Sequence, residues 1–148
     1  MRSDGPALDG NGGEPAFALS VDVEDYYQVQ AFAGRVRREA WSTFPSRVDR
    51  NTRRLLDLFD ETAARGTFFV LGWVARAEPG LVREIAARGH EVASHGMDHR
   101  MVTELTRAEF LAQARDSRAL LEDLAQAPVL GYRAPSYSVG KGTLWAIG

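Results

Sequence analysis

The feature that most constrains the fold of this chain is an alternation of short apolar runs with segments of helical periodicity. Apolar, β-prone runs predict four strands, at residues 16–23, 67–71, 90–94 and 129–133. Helical patterns separate them, over residues 46–65, 79–88 and 106–125. This order implies parallel strands joined by helical crossovers. We therefore expect an α/β fold with about four parallel strands.

Local signals predict where two of the helices begin. Ser46 stands where it can cap the first helix, with Asp49 at the capping-box position. Thr106 and Glu109 have the same spacing at the start of the last helix. Gly66 is expected to end the first helix.

Length and composition bound the class of protein. The 148 residues suffice for one modest domain, and a net charge of −2 argues against a nucleic-acid partner. No apolar stretch has the length of a membrane span. Since the chain has no cysteine, a metal would be held by histidine and carboxylate groups.

The two ends of the chain carry further expectations. Residues 1–15 are rich in Gly, Asp, Asn and Pro and lack the apolar core of a signal peptide, which predicts a disordered leader and a cytoplasmic location. Residues 16–148 would form one catalytic domain. Four strand-helix units do not close a (β/α) barrel, which typically needs roughly 200 residues. We therefore expect an incomplete, C-terminally truncated barrel that self-associates through its open edge.

Charged and metal-binding residues follow three of the four predicted strands. Because parallel strands place their carboxyl ends at one edge, these residues are expected to meet there. His95 and His99 are four apart, which allows both to reach one ion. Asp22 and Glu24 are two apart, so both point to the same side of the first strand. The alternatives are a surface histidine pair and an acidic loop in which Asp25 caps whatever segment follows it.

Three stretches resemble the first three motifs of the polysaccharide deacetylases with NodB homology, a group like carbohydrate esterase family four. They are Asp22-Val23-Glu24, Ser94-His95-Gly96-Met97-Asp98-His99 and Arg133-Ala134-Pro135. Residues 20–27, 66–73 and 132–136 are similar to a subfamily found with bacterial exopolysaccharide and exosortase gene clusters. The resemblance implies the N-terminal portion of a distorted (β/α) barrel. It also implies a hydrolase that removes acetyl groups from the N-acetylated sugars of a polysaccharide or oligosaccharide, with an envelope-associated role.

The same resemblance implies that each motif contributes to a site for a divalent metal ion, for which zinc is the expected metal. His95 and His99 would be metal ligands, Asp22 the general base, and Arg133 the residue that orients Asp22. Val23 stands where many members have a second Asp, so Glu24 is expected as the third ligand, with Asp25 as the alternative.

The remaining predicted site residues concern the substrate. Tyr26 and Trp41 are expected to stack on sugar rings, with packing at the edge of the core as the alternative. Pro135 and Ser136 would line the substrate site, and a main-chain N–H near Ser136 would contribute to an oxyanion hole. Ser136 replaces an aromatic residue that is common at this position in the family.

The family's general-acid histidine belongs to a downstream Leu-x-His motif. The three histidines of this sequence do not provide it. Two other readings therefore stay open: hydrolysis of another small amide on the same fold, and a non-catalytic carbohydrate-binding or structural remnant.

Overall fold

A three-stranded parallel sheet forms the centre of the protein in the computed structural model, which describes residues 18–147. Its strands are β1 (Ser20–Val23), β2 (Thr67–Val70) and β3 (Glu91–Ser94), paired in chain order. The predicted α/β fold with parallel strands is thereby confirmed. The predicted leader, residues 1–15, lies outside the described residues.

The fourth predicted strand, residues 129–133, pairs with β3 through a single bridge between Tyr132 and Ser94. The Ser94 N–H donates to the Gly131 carbonyl, and the Arg133 N–H donates to the Ser94 carbonyl, both at 2.9 Å. Prolines flank the segment at positions 128 and 135. Since Gly131 and Arg133 face β3, the next residue to face it is Pro135, which has no N–H to donate and so ends the ladder on that side. The segment still lies parallel to β3, so it delivers Arg133 to the same edge.

Four α-helices accompany the described sheet. They are α1 (Val48–Glu61), α2 (Gly72–Ala77), α3 (Pro79–Ala87) and α4 (Arg107–Ala125). The short α2 follows β2 directly and is absent from the sequence-based prediction. It ends before Pro79, which stands at the first position of α3, where its missing N–H does no harm.

The core lies where these helices pack against the sheet. Alternation along the strands buries Val23, Phe68 and Val70, while Asp22 and Phe69 on the opposite face stay partly exposed. The helices contribute Leu56, Ile85 and Leu121, all fully buried. The opposite face of the sheet is therefore free to carry polar side chains.

The two predicted helix caps have different outcomes. At α4 the Glu109 N–H donates to the Thr106 hydroxyl at 3.3 Å, and the Thr106 N–H donates to the Glu109 carboxylate at 2.8 Å, as predicted. The predicted Ser46 cap of α1 is wrong: its hydroxyl donates to the Asp25 carboxylate at 2.7 Å. A residue distant in sequence thus takes the place of the local cap.

The connections contain short 3-10 helices rather than long extended loops. They lie at Gln30–Phe32, Arg38–Thr43, Val102–Glu104, Pro135–Tyr137 and Lys141–Ala146. Within residues 18–147, no helix has the length and apolar character needed to cross a membrane.

Candidate metal centre

Three predicted ligands meet at the carboxyl edge of the sheet. Glu24 follows β1, whereas His95 and His99 occupy the loop after β3. One ligand atom from each of the three lies within 4.8 Å of the others. His99 Nε2 is 3.0 Å from Glu24 Oε2, and both imidazoles are buried. The spacing is that of groups able to share one cation.

The orientation of His95 leaves one ring nitrogen available. Its Nδ1 lies 2.9 Å from the Arg133 carbonyl oxygen. A carbonyl only accepts, so Nδ1 carries the proton in this contact and Nε2 keeps its lone pair. Histidines that bind metals commonly hold their second nitrogen in this way.

The start of α2 holds residues 95–99, the loop that carries both histidines, through two main-chain hydrogen bonds. The Gly72 N–H donates to the Gly96 carbonyl and the Trp73 N–H to the Met97 carbonyl, each at 2.8 Å. A Cβ atom at Gly72 would lie 3.1 Å from the Met97 Cα and still closer to its sulfur. Gly72 therefore permits a close approach that any side chain would obstruct.

Burial controls the protonation of the three candidate ligands. It raises the pKa of Glu24 to about 7, with the nearby charge of Asp22 adding to the effect. It lowers the pKa of His99 to about 4, assisted by His95, and it also lowers the pKa of His95. Both imidazoles are therefore neutral at pH 7 and can donate lone pairs.

These residues fit a divalent cation. Within residues 18–147, the buried Oε2 of Glu24 has no hydrogen-bond partner, which is costly unless another group satisfies it. Two imidazoles and one carboxylate are also a donor set of catalytic zinc sites, which keep a further position open. The fit therefore rests both on an unsatisfied buried oxygen and on the chemistry of the donors.

Asp22 lies beside this cluster and is held by Arg133. The Arg133 Nη1 donates to Asp22 Oδ1 at 2.6 Å, and its Nη2 donates to the Ser20 hydroxyl at 2.8 Å. The guanidinium carbon stacks 3.9 Å from the centre of the Phe69 ring. Arg133 thus fixes Asp22 with its side chain while its carbonyl fixes His95.

Two partners of Arg133, Ser20 and Phe69, are not among the site residues predicted from the sequence. The strand pattern held a signal for both. Ser20 is two residues before Asp22, so it shares the same face of β1. Phe69 stands opposite Asp22 in the register of β1 and β2.

Asp25, the alternative third ligand, is engaged elsewhere. Its buried carboxylate accepts the Arg47 N–H at 2.9 Å and the Ser46 hydroxyl at 2.7 Å. These groups stand at the N-terminus of α1, where a negative charge is favourable. The structure therefore gives Asp25 a capping role, and Glu24 faces the histidines.

The two aromatic candidates for sugar contact lie in different environments. Trp41 is only 3% exposed and packs beside Tyr27 and Trp73, so it contributes to the core and offers no free face to a sugar. The expectation of a stacking role for Trp41 is corrected accordingly. Tyr26 is 39% exposed, with the Arg47 guanidinium 4.6 Å from its ring centre.

The segment after Arg133 likewise contains one buried and one exposed candidate substrate-binding residue. Pro135 is buried, and its Cγ would lie 3.8 Å from a Cβ atom at Gly96, so it supports the histidine loop instead of lining an open site. Ser136 is exposed and has a left-handed φ of 52°. The following Tyr137 is 76% exposed and shares this backbone conformation, with a φ of 50°.

Known proteins share this sequence pattern and fold. The family model of polysaccharide deacetylases matches residues 34–147. A chitooligosaccharide deacetylase from Sinorhizobium fredii is 36% identical over 85 residues, which are 57% of this chain and 40% of that protein. A peptidoglycan-N-acetylglucosamine deacetylase from Bacillus cereus is 28% identical over 93 residues, which are 63% of this chain and 34% of that protein.

A solved structure shows the same fold at lower identity. A CE4 family pseudoenzyme from Bacillus anthracis shares 18% identity and has a TM-score of 0.66, over 87% of this chain and 38% of its own length. The chain thus spans about two fifths or less of these relatives. Because the family model covers most of its residues, the chain belongs to the polysaccharide deacetylase family.

Proposed function

We propose that this chain carries the metal-binding part of a deacetylase that removes acetyl groups from N-acetylated sugars. The observation that carries the proposal is the convergence of Glu24, His95 and His99 next to the Arg133-Asp22 pair. The names of the relatives in Sinorhizobium fredii and Bacillus cereus support a substrate made of acetylated amino sugars. We propose zinc as the resident cation, because its catalytic sites use these donors.

The chain's own residues divide the work of amide hydrolysis. Asp22 accepts the proton of the attacking water, and the Arg133 guanidinium holds its carboxylate in place. A main-chain N–H near the exposed Ser136 would donate to the negative charge that develops on the oxygen of the substrate's acetyl carbonyl. When bound, a divalent cation supplies Lewis acidity toward the same carbonyl. Tyr26 is the aromatic residue we propose for contact with a sugar ring.

Protonation of the leaving amine needs a further group. The three histidines of this sequence lie at positions 90, 95 and 99, and two of them are candidate ligands. We propose that the general acid belongs to the remainder of the domain found in the longer relatives, and that residues 16–148 are one part of that domain. The resemblance to the exosortase-associated subfamily further suggests a role in exopolysaccharide production at the cell envelope.

The proposal is tested by measuring zinc content and acetate release together. Purified protein with zinc is incubated with an oligomer of N-acetylglucosamine. We expect one zinc ion per chain and slow acetate release, about 10²–10⁴-fold below a domain that has its general acid. Asp22→Asn should keep zinc and abolish release, whereas the double change His95→Ala and His99→Ala should remove both. His90→Phe is the matched control and should preserve both.

Each alternative has its own signature in this experiment. Equal, substoichiometric zinc in the wild type and the double histidine variant would overturn the metal centre. Undiminished acetate release by Asp22→Asn would overturn its role as base. Zinc binding with hydrolysis of other small amides, but without deacetylation of sugars, would instead support the alternative hypothesis of a small-amide hydrolase. Zinc and oligosaccharide binding without any acetate release would overturn hydrolysis by this chain and favour a carbohydrate-binding role for it.

A further inference from the structure

Arg38 lies far from the candidate ligands in sequence but contacts their loop. It is the first residue of the 3-10 helix Arg38–Thr43, in the long connection between β1 and α1. Its Nε donates to the Asp98 carbonyl at 2.8 Å, and its Nη2 donates to the His99 carbonyl at 3.4 Å. Nη2 also lies 3.7 Å from the Glu104 carboxylate, beyond the same loop. One guanidinium thus spans the end of the histidine loop.

The backbone that Arg38 contacts is in an unfavourable conformation. His99 has a φ of +55°, in the left-handed region that residues other than glycine rarely adopt. Such a conformation persists only when the surroundings hold it. The rigid fork of a guanidinium can bind two neighbouring carbonyls at once, which an ammonium group does less well.

The helix that carries Arg38 is itself anchored. Three residues later, Trp41 is buried, with its ring centre 5.8 Å from that of Trp73. Trp73 belongs to α2, and its N–H donates to the Met97 carbonyl within the histidine loop. The histidine loop is therefore held both by Arg38 and by α2, and the contact of Trp41 with Trp73 connects the segments that carry them.

We propose that Arg38 is a positioning residue that fixes the backbone of His99 for metal binding. This inference rests on the proposed function, because it assumes that His99 binds the cation. Arg38 would thereby couple the connection between β1 and α1, which also contains the exposed Tyr26, to the position of the His99 ligand. Loss of the guanidinium should free the carbonyls of Asp98 and His99 and let the imidazole leave its ligand position.

The test compares Arg38→Ala with its neighbour Arg37→Ala. Arg37 is the matched control, since its side chain is 86% exposed and pairs with Glu39, whereas that of Arg38 is 37% exposed. Zinc affinity is measured by competition with a chromophoric chelator. Arg38→Ala should bind zinc about 10–100-fold more weakly, the range found when partners of ligands are removed. Arg37→Ala should stay within about twofold of the wild type.

The visible spectrum of bound cobalt(II) separates positioning from general stability. Arg38→Ala should change the shape of this spectrum, and Arg38→Lys should give an intermediate affinity. If Arg38→Ala does not unfold cooperatively when metal-free, Arg38→Lys decides the question by the same two measurements. Wild-type affinity and spectrum in the deciding variant would overturn the role of Arg38. Failure of the wild-type chain to bind zinc or cobalt would instead overturn the proposed metal centre.

Discussion

The two ends of β3 show how the same residue type acquires different surroundings. His90 immediately precedes the strand and His95 immediately follows it. Both are buried, with 6% and 2% of their surface exposed. Neither burial nor residue type therefore distinguishes them.

Their neighbours do distinguish them. The His90 ring packs against Phe59 and Phe68, with ring centres at 5.4 and 4.9 Å, and its Nδ1 accepts the Gly66 N–H. His95 faces Glu24 and His99 instead. At the amino edge, aromatic rings close the core, whereas at the carboxyl edge polar groups from separate strands converge. The edge at which a residue lies thus indicates its role better than its burial does.

The adjacent acids Glu24 and Asp25 give the strongest test of the rule that the edge at which a residue lies indicates its role. Both lie at the carboxyl edge, yet only Glu24 faces the histidines. Glu24→Gln should weaken zinc binding by at least about 100-fold, because loss of a ligand exceeds loss of a ligand's partner. At pH 8 the metal-free Glu24→Gln variant should be at least as stable as the wild type. Its neutral amide avoids burial of a carboxylate whose pKa is raised to about 7 and which is ionised at that pH.

Asp25→Ala should show the reverse pattern. Removal of the α1 cap and of its buried hydrogen bonds should lower the free energy of unfolding by about 2–3 kcal/mol. Its zinc affinity should fall far less than that of Glu24→Gln. Urea unfolding without metal and chelator competition measure the two quantities. A large loss of zinc affinity in Asp25→Ala alone would reverse the two assignments.

The parallel α/β fold, and the meeting of residues from separate strands at one edge, could be predicted from the sequence because both follow from periodicity. Parallel strands send their ends to one edge, so Asp22, His95 and Arg133 could be predicted to meet there. Alternation along β1 also predicted that Asp22 and Glu24 share a face, and Val23 between them is buried. These inferences need only local patterns and a general rule of topology.

The features that escaped prediction depend on contacts between distant segments. Asp25 caps α1 across 22 residues, and Arg38 reaches Asp98 across 60. Nothing near either residue in sequence identifies its partner. Trp41 illustrates the same limit, since an aromatic residue in a polar connection fits a sugar platform and a core residue equally well until its neighbours are known.

A second test compares two glycines at opposite edges of the sheet. A Cβ atom at Gly72 would lie 3.1 Å from the Met97 Cα, and one at Gly66 would lie 3.0 Å from the Leu19 carbonyl oxygen. Alanine at either position should destabilise the protein by about 1–3 kcal/mol through overpacking. Only Gly72→Ala should also weaken zinc binding, by about tenfold, because it displaces the histidine loop.

Chemical unfolding and zinc competition on both glycine variants check this expectation. Gly80→Ala is the control for the substitution itself, since no atom beyond its chain neighbours and its own helix backbone lies within 4 Å of its Cβ position. An equal loss of zinc affinity in Gly66→Ala and Gly72→Ala would mean that the two edges are not functionally separate.

The smallest expected effect concerns the pH dependence of the amino edge. Burial lowers the pKa of His90, and the nearby Arg65 adds to this effect. As pH falls below the ordinary value of about 6.5, the unfolded chain takes up a proton before the folded chain does. The stability that neutral His90 contributes is therefore fully present above about pH 6.5 and is lost as pH falls through the lower, folded-state pKa.

His90→Phe isolates this contribution, because the other titrating groups are common to both proteins. Without metal, the stability advantage of the wild type over His90→Phe should shrink between pH 7 and pH 5, by at most about 1.4 kcal/mol per pH unit. Urea unfolding at several pH values measures it. A difference that stays constant with pH would mean that His90 titrates alike in the folded and unfolded chains. The aromatic rings beside His90 would then not exclude a proton from the folded chain.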